Sequence, residues 1–182
     1  SLVCDANNVT FRELAGHYGI PRFYVDVPPE RSEDGVAYVA DQLRELKGWL
    51  EEHTGQRLDE ERLKRAVARS KETVDLLRDC QREKAAHTLT SDITSELYEA
   101  YLCHSALGTE AAHRYAKQLL DDLKHAPAAH GIRILWLHTI PNWQEPVRQL
   151  FNFNDHCQIV TCDMNFENLM ELDPERPYES MA

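Results

Sequence analysis

Apolar positions recur every three to four residues through most of this chain and give way to short unbroken or alternating runs only toward its two ends. The first residues, Ser1-Leu2-Val3-Cys4, read as the end of a strand. Phe11, Leu14 and Tyr18 then fall on one side of a helix over Val9 to Tyr18, which Gly19 stops by taking a left-handed conformation. Arg22 to Val27 alternates aromatic and branched residues as a strand does, and Pro28-Pro29 ends it. These elements predict a βαβ fragment.

The middle of the chain has the period of helices. Val36, Val39, Leu43, Leu46, Trp49 and Leu50 make one stripe, closed by Gly55. Asp59 is placed to cap the next helix, with Leu58 stapled onto Leu63, and Leu63, Val67, Ser70, Val74 and Leu77 run down one face to Lys84. Thr90 or Ser91 starts a third helix carrying Ile93, Leu97, Tyr101 and His104. Gly108-Thr109 separates it from a fourth with Ala112, Tyr115, Leu119 and Leu123. From Gly131 the pattern changes again. Ile132 to Leu137 and Gln158 to Thr161 are strand-like, Asn142 to Glu145 resembles a capping box, and Asp173 to Pro177 reads as a loop beyond the last strand, before the second sheet is complete.

The predicted fold class is α/β: residues 1–34 form the end of one Rossmann-like domain and carry Cys4, residues 35–130 form a helical stretch, and residues 131–182 open a second Rossmann-like domain.

Composition narrows the partners. With 182 residues, 42% of them hydrophobic, the chain is long enough to bury a core. Its formal charge of −11 argues against nucleic acid and anionic membrane surfaces as partners, since both are polyanions. No apolar run reaches the roughly 18 residues of a membrane span, and the start lacks the pattern of a signal peptide, so the expected location is the cytoplasm. The absence of an initial Met marks the sequence as an expected piece of a longer subunit. Five irregularly spaced cysteines do not describe a disulfide framework.

Cys4 is the cysteine with a chemical setting. Between a strand end and a helix start, backbone N–H groups and the helix dipole favour its thiolate, the form that binds metal. The same position also suits a small buried residue. Cys80 and Cys103 fall within helices and read as filler, while Cys157 and Cys162, five apart on or beside a strand, are expected on opposite faces and unable to grip one metal. No His-x-x-x-His or Cys-x-x-Cys spacing supports a zinc site.

Cys4-Asp5-Ala6-Asn7-Asn8, the segment from Ile20 to Pro28 and the run Arg133 to Trp143, in that order and with Tyr38, Gln42, Leu46, Leu50, Thr54, Gly55 and Leu63 between them, resemble the 2-hydroxyacyl-CoA dehydratase / benzoyl-CoA reductase family. The resemblance implies a subunit of an iron–sulfur enzyme that removes water from an (R)-2-hydroxyacyl-CoA or, in its aromatic branch, reduces an aryl-CoA ring. It implies a [4Fe–4S] cluster held by three cysteines with one iron open. An ATP-dependent activator delivers one electron, and the substrate reacts as a ketyl radical.

Of the cluster cysteines, the resemblance carries only Cys4 over to this chain and places the other two outside it, so the piece alone is expected to hold no cluster. It also implies a second homologous subunit, the activator and an acyl-CoA substrate as partners. His138 and Trp143, beyond a strand's carboxyl end, are candidate substrate-pocket residues, as is Asn8. His138 equally suits a loop hydrogen bond and Trp143 the packing of a helix start. Asn7, Asn8 and Thr10 suit hydrogen bonds to a cluster sulfide or a thioester oxygen, and Asn8 and Thr10 equally suit helix capping. The basic residues Arg62, Lys64, Arg65, Arg69 and Lys71 alternate with Glu60, Glu61 and Glu72, as on a solvated face.

A second reading stays open at the level of sequence, a non-catalytic helical interaction module over Gly35 to His125. So does a third, a family member that has lost its cluster. The Cys4 and Arg133 to Trp143 motifs favour the first reading over the second, because a docking module has no use for a thiol at the mouth of a sheet.

Overall fold

In the computed structural model, residues 5–30, 32–87, 98–99, 101, 105–137, 150, 156–163, 165 and 171–182 are described. Among them run helices α1 (Asp5–Tyr18), α2 (Glu33–Thr54), α3 (Glu60–Ala86) and α4 (Glu110–His125), strands β1 (Ile132–Trp136) and β2 (Cys157–Cys162), and a short helix α5 (Pro177–Met181). The chain is thus mostly helical, with one small parallel sheet. It divides into two compact units, Ser1–Lys64 with Asp173–Ala182, and Arg65–Leu172.

Local chemistry accounts for the helix ends of the first unit. Gly19 takes φ 61°, and the Ile20 N–H returns to the Ala15 carbonyl at 2.9 Å, the wide hydrogen bond of a Schellman stop. The Ser32 side chain accepts the Gly35 N–H at 3.0 Å to open α2, and Gly55 at φ 68° closes it. Asp59 Oδ1 accepts the Arg62 N–H at 3.1 Å at the start of α3, as its sequence position predicts. α1 begins four residues earlier than predicted, at Asp5 instead of Val9.

Arg22 to Val27 is irregular and does not form the predicted strand. Its fixed point is Asp26, whose backbone is held by the side chain of Gln42 on α2 and whose carboxylate accepts from Tyr38 Oη at 3.1 Å. Alternation records that a segment has two unlike faces; it does not record what satisfies the backbone, and here part of that role falls to a side-chain amide.

Asp173–Arg176 forms a loop, and the chain then forms α5, which packs on α2. Arg44 pairs with Glu179 at 2.6 Å and lies 5.0 Å from the Tyr178 ring centroid, while Tyr178 Oη donates to Glu60 at 3.0 Å and Glu60 also pairs with Lys47.

In the second unit, α3 buries Val67, Ser70, Thr73, Val74, Leu77, Cys80 and Lys84, close to the predicted face. α4 opens with the Thr109 hydroxyl accepting the Ala112 N–H at 3.2 Å and buries Ala112, Ala116, Leu120 and Leu123, so the inward stripe is turned from the predicted Tyr115 and Leu119. Leu77 meets Ala116, and Cys80 packs with Leu120 and Leu123. Lys84 and Glu99 form a buried ion pair at 3.1 Å. β1 and β2 pair in parallel, the one sheet among the described residues. The predicted third helix, apart from Tyr98, Glu99, Tyr101 and residues 105–107, and the capping box at Asn142 lie outside the described residues.

Candidate functional site

Within the first unit, α1 and the segment that follows it enclose a groove of about 790 Å³. Asn7, Asn8, Phe11, Leu14, Ala15 and Tyr18 line it from the helix, and Ile20 to Tyr24 from the returning chain. Three causes set this geometry. The Gly19 stop reverses the chain, the contacts of Asp26 with Gln42 and Tyr38 fix the far end of the segment, and Phe23 packs on Trp49 with ring centroids 5.9 Å apart. Trp49 in turn stacks on His53 at 4.2 Å. The hydrogen bond to Asp26, ahead of its charge, pushes the Tyr38 phenol above its ordinary pKa.

The apolar walls of the groove face outward: Phe11 is 65% exposed and Tyr18 67%. Volumes of roughly 300–1,000 Å³ with apolar walls and a few polar groups are typical of small-molecule sites. The amide nitrogen of Asn8 is buried there and has no hydrogen-bond partner among the described residues. A buried donor left unmade costs about 1–3 kcal/mol, so this group favours a ligand oxygen.

Two of the residues weighed as caps behave otherwise. Because α1 starts at Asp5, neither Asn8 nor Thr10 caps it, and the Thr10 hydroxyl donates back to the Ala6 carbonyl at 2.8 Å. Asn8 is left facing the groove. Cys4, His138, Trp143 and Cys103 lie outside the described residues.

The comparisons bear directly on this arrangement. A family model described as 2-hydroxyglutaryl-CoA dehydratase, D-component, matches residues 1–182. The chain belongs to that family. Membership makes it a subunit of a 2-hydroxyacyl-CoA dehydratase, a lyase that works with a partner subunit. No match was found among curated proteins or among solved structures.

For the dehydratase family, the first question is whether the described residues fit a cysteine-held iron–sulfur cluster. They do not. Cys80 is fully buried in the α3–α4 core, with its Sγ 3.7 Å from the Ala116 carbonyl oxygen. Cys157 and Cys162 occupy the two ends of β2 and pair with Ile132 and Trp136, four residues apart on β1. A bulge opposite Ile134–Leu135 inserts one residue into β2, so both cysteines take the same side, contrary to the opposite faces expected of a regular strand. They still stand about 13 Å apart along the strand at about 3.3 Å per paired step, too far to share a metal. Among the described residues, no group of three His, Cys, Asp or Glu side chains is placed to hold one.

The basic run on α3 behaves as a solvated face: Lys64 pairs with Glu175, Arg69 with Glu110 and Lys71 with Asp75. Arg22 differs. It lines the groove with no ion pair among the described residues, a position that its place inside a predicted strand did not single out. The available signal was a basic residue between Pro21 and Phe23 in an acidic chain. No helix among the described residues is long and apolar enough to cross a membrane.

Proposed function

We propose that this chain is a substrate-binding part of a 2-hydroxyacyl-CoA dehydratase subunit and that the α1 groove receives the acyl-CoA. The match of the family model over residues 1–182 carries this reading. The groove offers what the substrate needs of the protein: apolar walls from Phe11, Leu14, Tyr18 and Phe23 for an acyl chain to cover, and the Asn8 Nδ2 donor for a thioester or hydroxyl oxygen.

In this reading the complex removes water from an (R)-2-hydroxyacyl-CoA by a one-electron, ketyl-radical route. An ATP-dependent activator would deliver the electron, and a [4Fe–4S] cluster, where bound, would supply an open iron as Lewis acid. Cys4, immediately before the first residue of α1 in sequence, is the thiolate this chain contributes, and the remaining ligands come from elsewhere in the subunit. In this reading His138 and Trp143 are also substrate-binding residues, and the α/β segments of the sequence belong to Rossmann-like domains of the whole subunit.

Anaerobic reconstitution of the full-length subunit with its partner, with and without Cys4→Ser, tests the assignment of the thiolate by visible absorption and EPR. Loss of the cluster signal in the variant is the expected result; an undiminished signal overturns the role of Cys4.

A further inference from the structure

The groove along α1 presents donors that lack acceptors among the described residues. Asn8 Nδ2 is one, and the guanidinium of Arg22, with up to five N–H groups, is the other. Among the described residues no Asp or Glu lines the groove, although the chain carries 31 acidic residues against 20 basic ones. Among the described arginines of the first unit, Arg12 pairs with Glu13, Arg44 with Asp41 and Glu179, and Arg57 with Glu51, while Arg62 and Arg176 have no ion pair and lie outside the groove, so Arg22 is the unpaired one that lines it. A guanidinium kept unpaired beside an acceptor-poor apolar trough is complementary to an oxyanion, which it can grip with two parallel hydrogen bonds.

The dimensions suit an elongated ligand. From Asn8 to Tyr18, α1 rises about 15 Å at 1.5 Å per residue. Arg22 lies on the opposite wall, between the aromatic positions Tyr18 and Phe23 in sequence. A ligand that satisfies every wall has an apolar body, a carbonyl or hydroxyl oxygen for Asn8, and one negatively charged oxygen group for Arg22.

We infer that Arg22 is a specificity-determining residue of the groove, which binds an oxyanion of the acyl-CoA while Asn8 binds a neutral oxygen and the aromatic walls cover the chain between them. This rests on the reading of the groove as the acyl-CoA site. The oxyanion has two sources, a carboxylate at the far end of the acyl group or a phosphate of CoA.

The test uses the full-length complex and two unreactive probes, glutaryl-CoA and butyryl-CoA, titrated calorimetrically into wild-type, Arg22→Ala and Arg22→Lys proteins. Arg22 is exposed, so the variants fold. The alanine variant is expected to weaken binding by about tenfold to a hundredfold, the scale of one charge-assisted contact, and lysine to restore part of it. Weakening confined to glutaryl-CoA assigns the acyl carboxylate, and equal weakening of both probes assigns a CoA phosphate. Unchanged affinity for both probes overturns the inference. Dehydration of a 2-hydroxyacyl-CoA by the wild-type complex is measured separately, so a failure of the enzymatic reading is distinguished from a failure of Arg22.

Discussion

The side chain of Gln42 holds the backbone of Asp26 at two points: its Oε1 accepts the Asp26 N–H at 2.7 Å and its Nε2 donates to the Asp26 carbonyl at 2.8 Å. An amide thereby does for one residue what a neighbouring strand does for a ladder. Gln42→Leu keeps a comparable volume and leaves both Asp26 groups unpaired. It is expected to destabilise the protein by about 1–3 kcal/mol. A lower urea midpoint at constant slope confirms this, and a midpoint equal to wild type refutes it.

A second buried polar contact lies in the other unit. Lys84 and Glu99 side chains are only 9% and 6% exposed, and both Glu99 oxygens lie within 3.2 Å of the ammonium. Removing one partner strands a buried charge, so Lys84→Met or Glu99→Leu should each cost about 3–5 kcal/mol, while the double change Lys84→Met with Glu99→Leu costs less than the sum. Thermal unfolding of the three variants measures the coupling. Additive losses contradict it.

Acidity acts on the contacts of α5. Glu60 and Glu179 both lie below the ordinary glutamate value of 4.5, Glu60 chiefly through the hydrogen bond from Lys47 and Glu179 chiefly through that from Arg44. Carboxylates with lowered folded-state values contribute stability that is present above pH 4.5 and lost as pH falls through those values. Tyr178 is pushed above 10.0, first by burial and then by its hydrogen bond to Glu60, so its contribution is complete below pH 10.0 and is lost as the pH rises through the raised value. The melting temperature should therefore decline on acidification below pH 4.5, and Glu179→Gln should make that decline shallower. An unchanged acid limb in the variant is evidence against these pairings.

The sequence announces the helices through stop and start chemistry: Gly19, Gly55, Asp59 and Thr109 stand where the structure uses them. Each acts within three or four residues of itself, which is why it is legible. Gln42 and Asp26 are sixteen residues apart, and nothing in the alternation of Arg22 to Val27 points to a side chain as partner. The bulge in β2 likewise has no local mark, so parity placed Cys157 and Cys162 on opposite sides. Of the candidate site, Asn8 was legible from its motif. Arg22 was not, because its significance lies in having no acidic neighbour, a property of the fold and not of the local sequence.

The most direct measurement of the account is the anaerobic conversion of 2-hydroxyacyl-CoA to 2-enoyl-CoA by the reconstituted complex, followed by mass spectrometry, with wild-type and Asn8→Ala subunits. The account predicts water loss by the wild type and a fall of about tenfold in kcat/KM in the variant, the equivalent of one lost hydrogen bond to substrate. Wild-type turnover with an unaltered variant would contradict the groove as the substrate site, and no turnover by the wild-type complex would contradict the dehydratase reading itself.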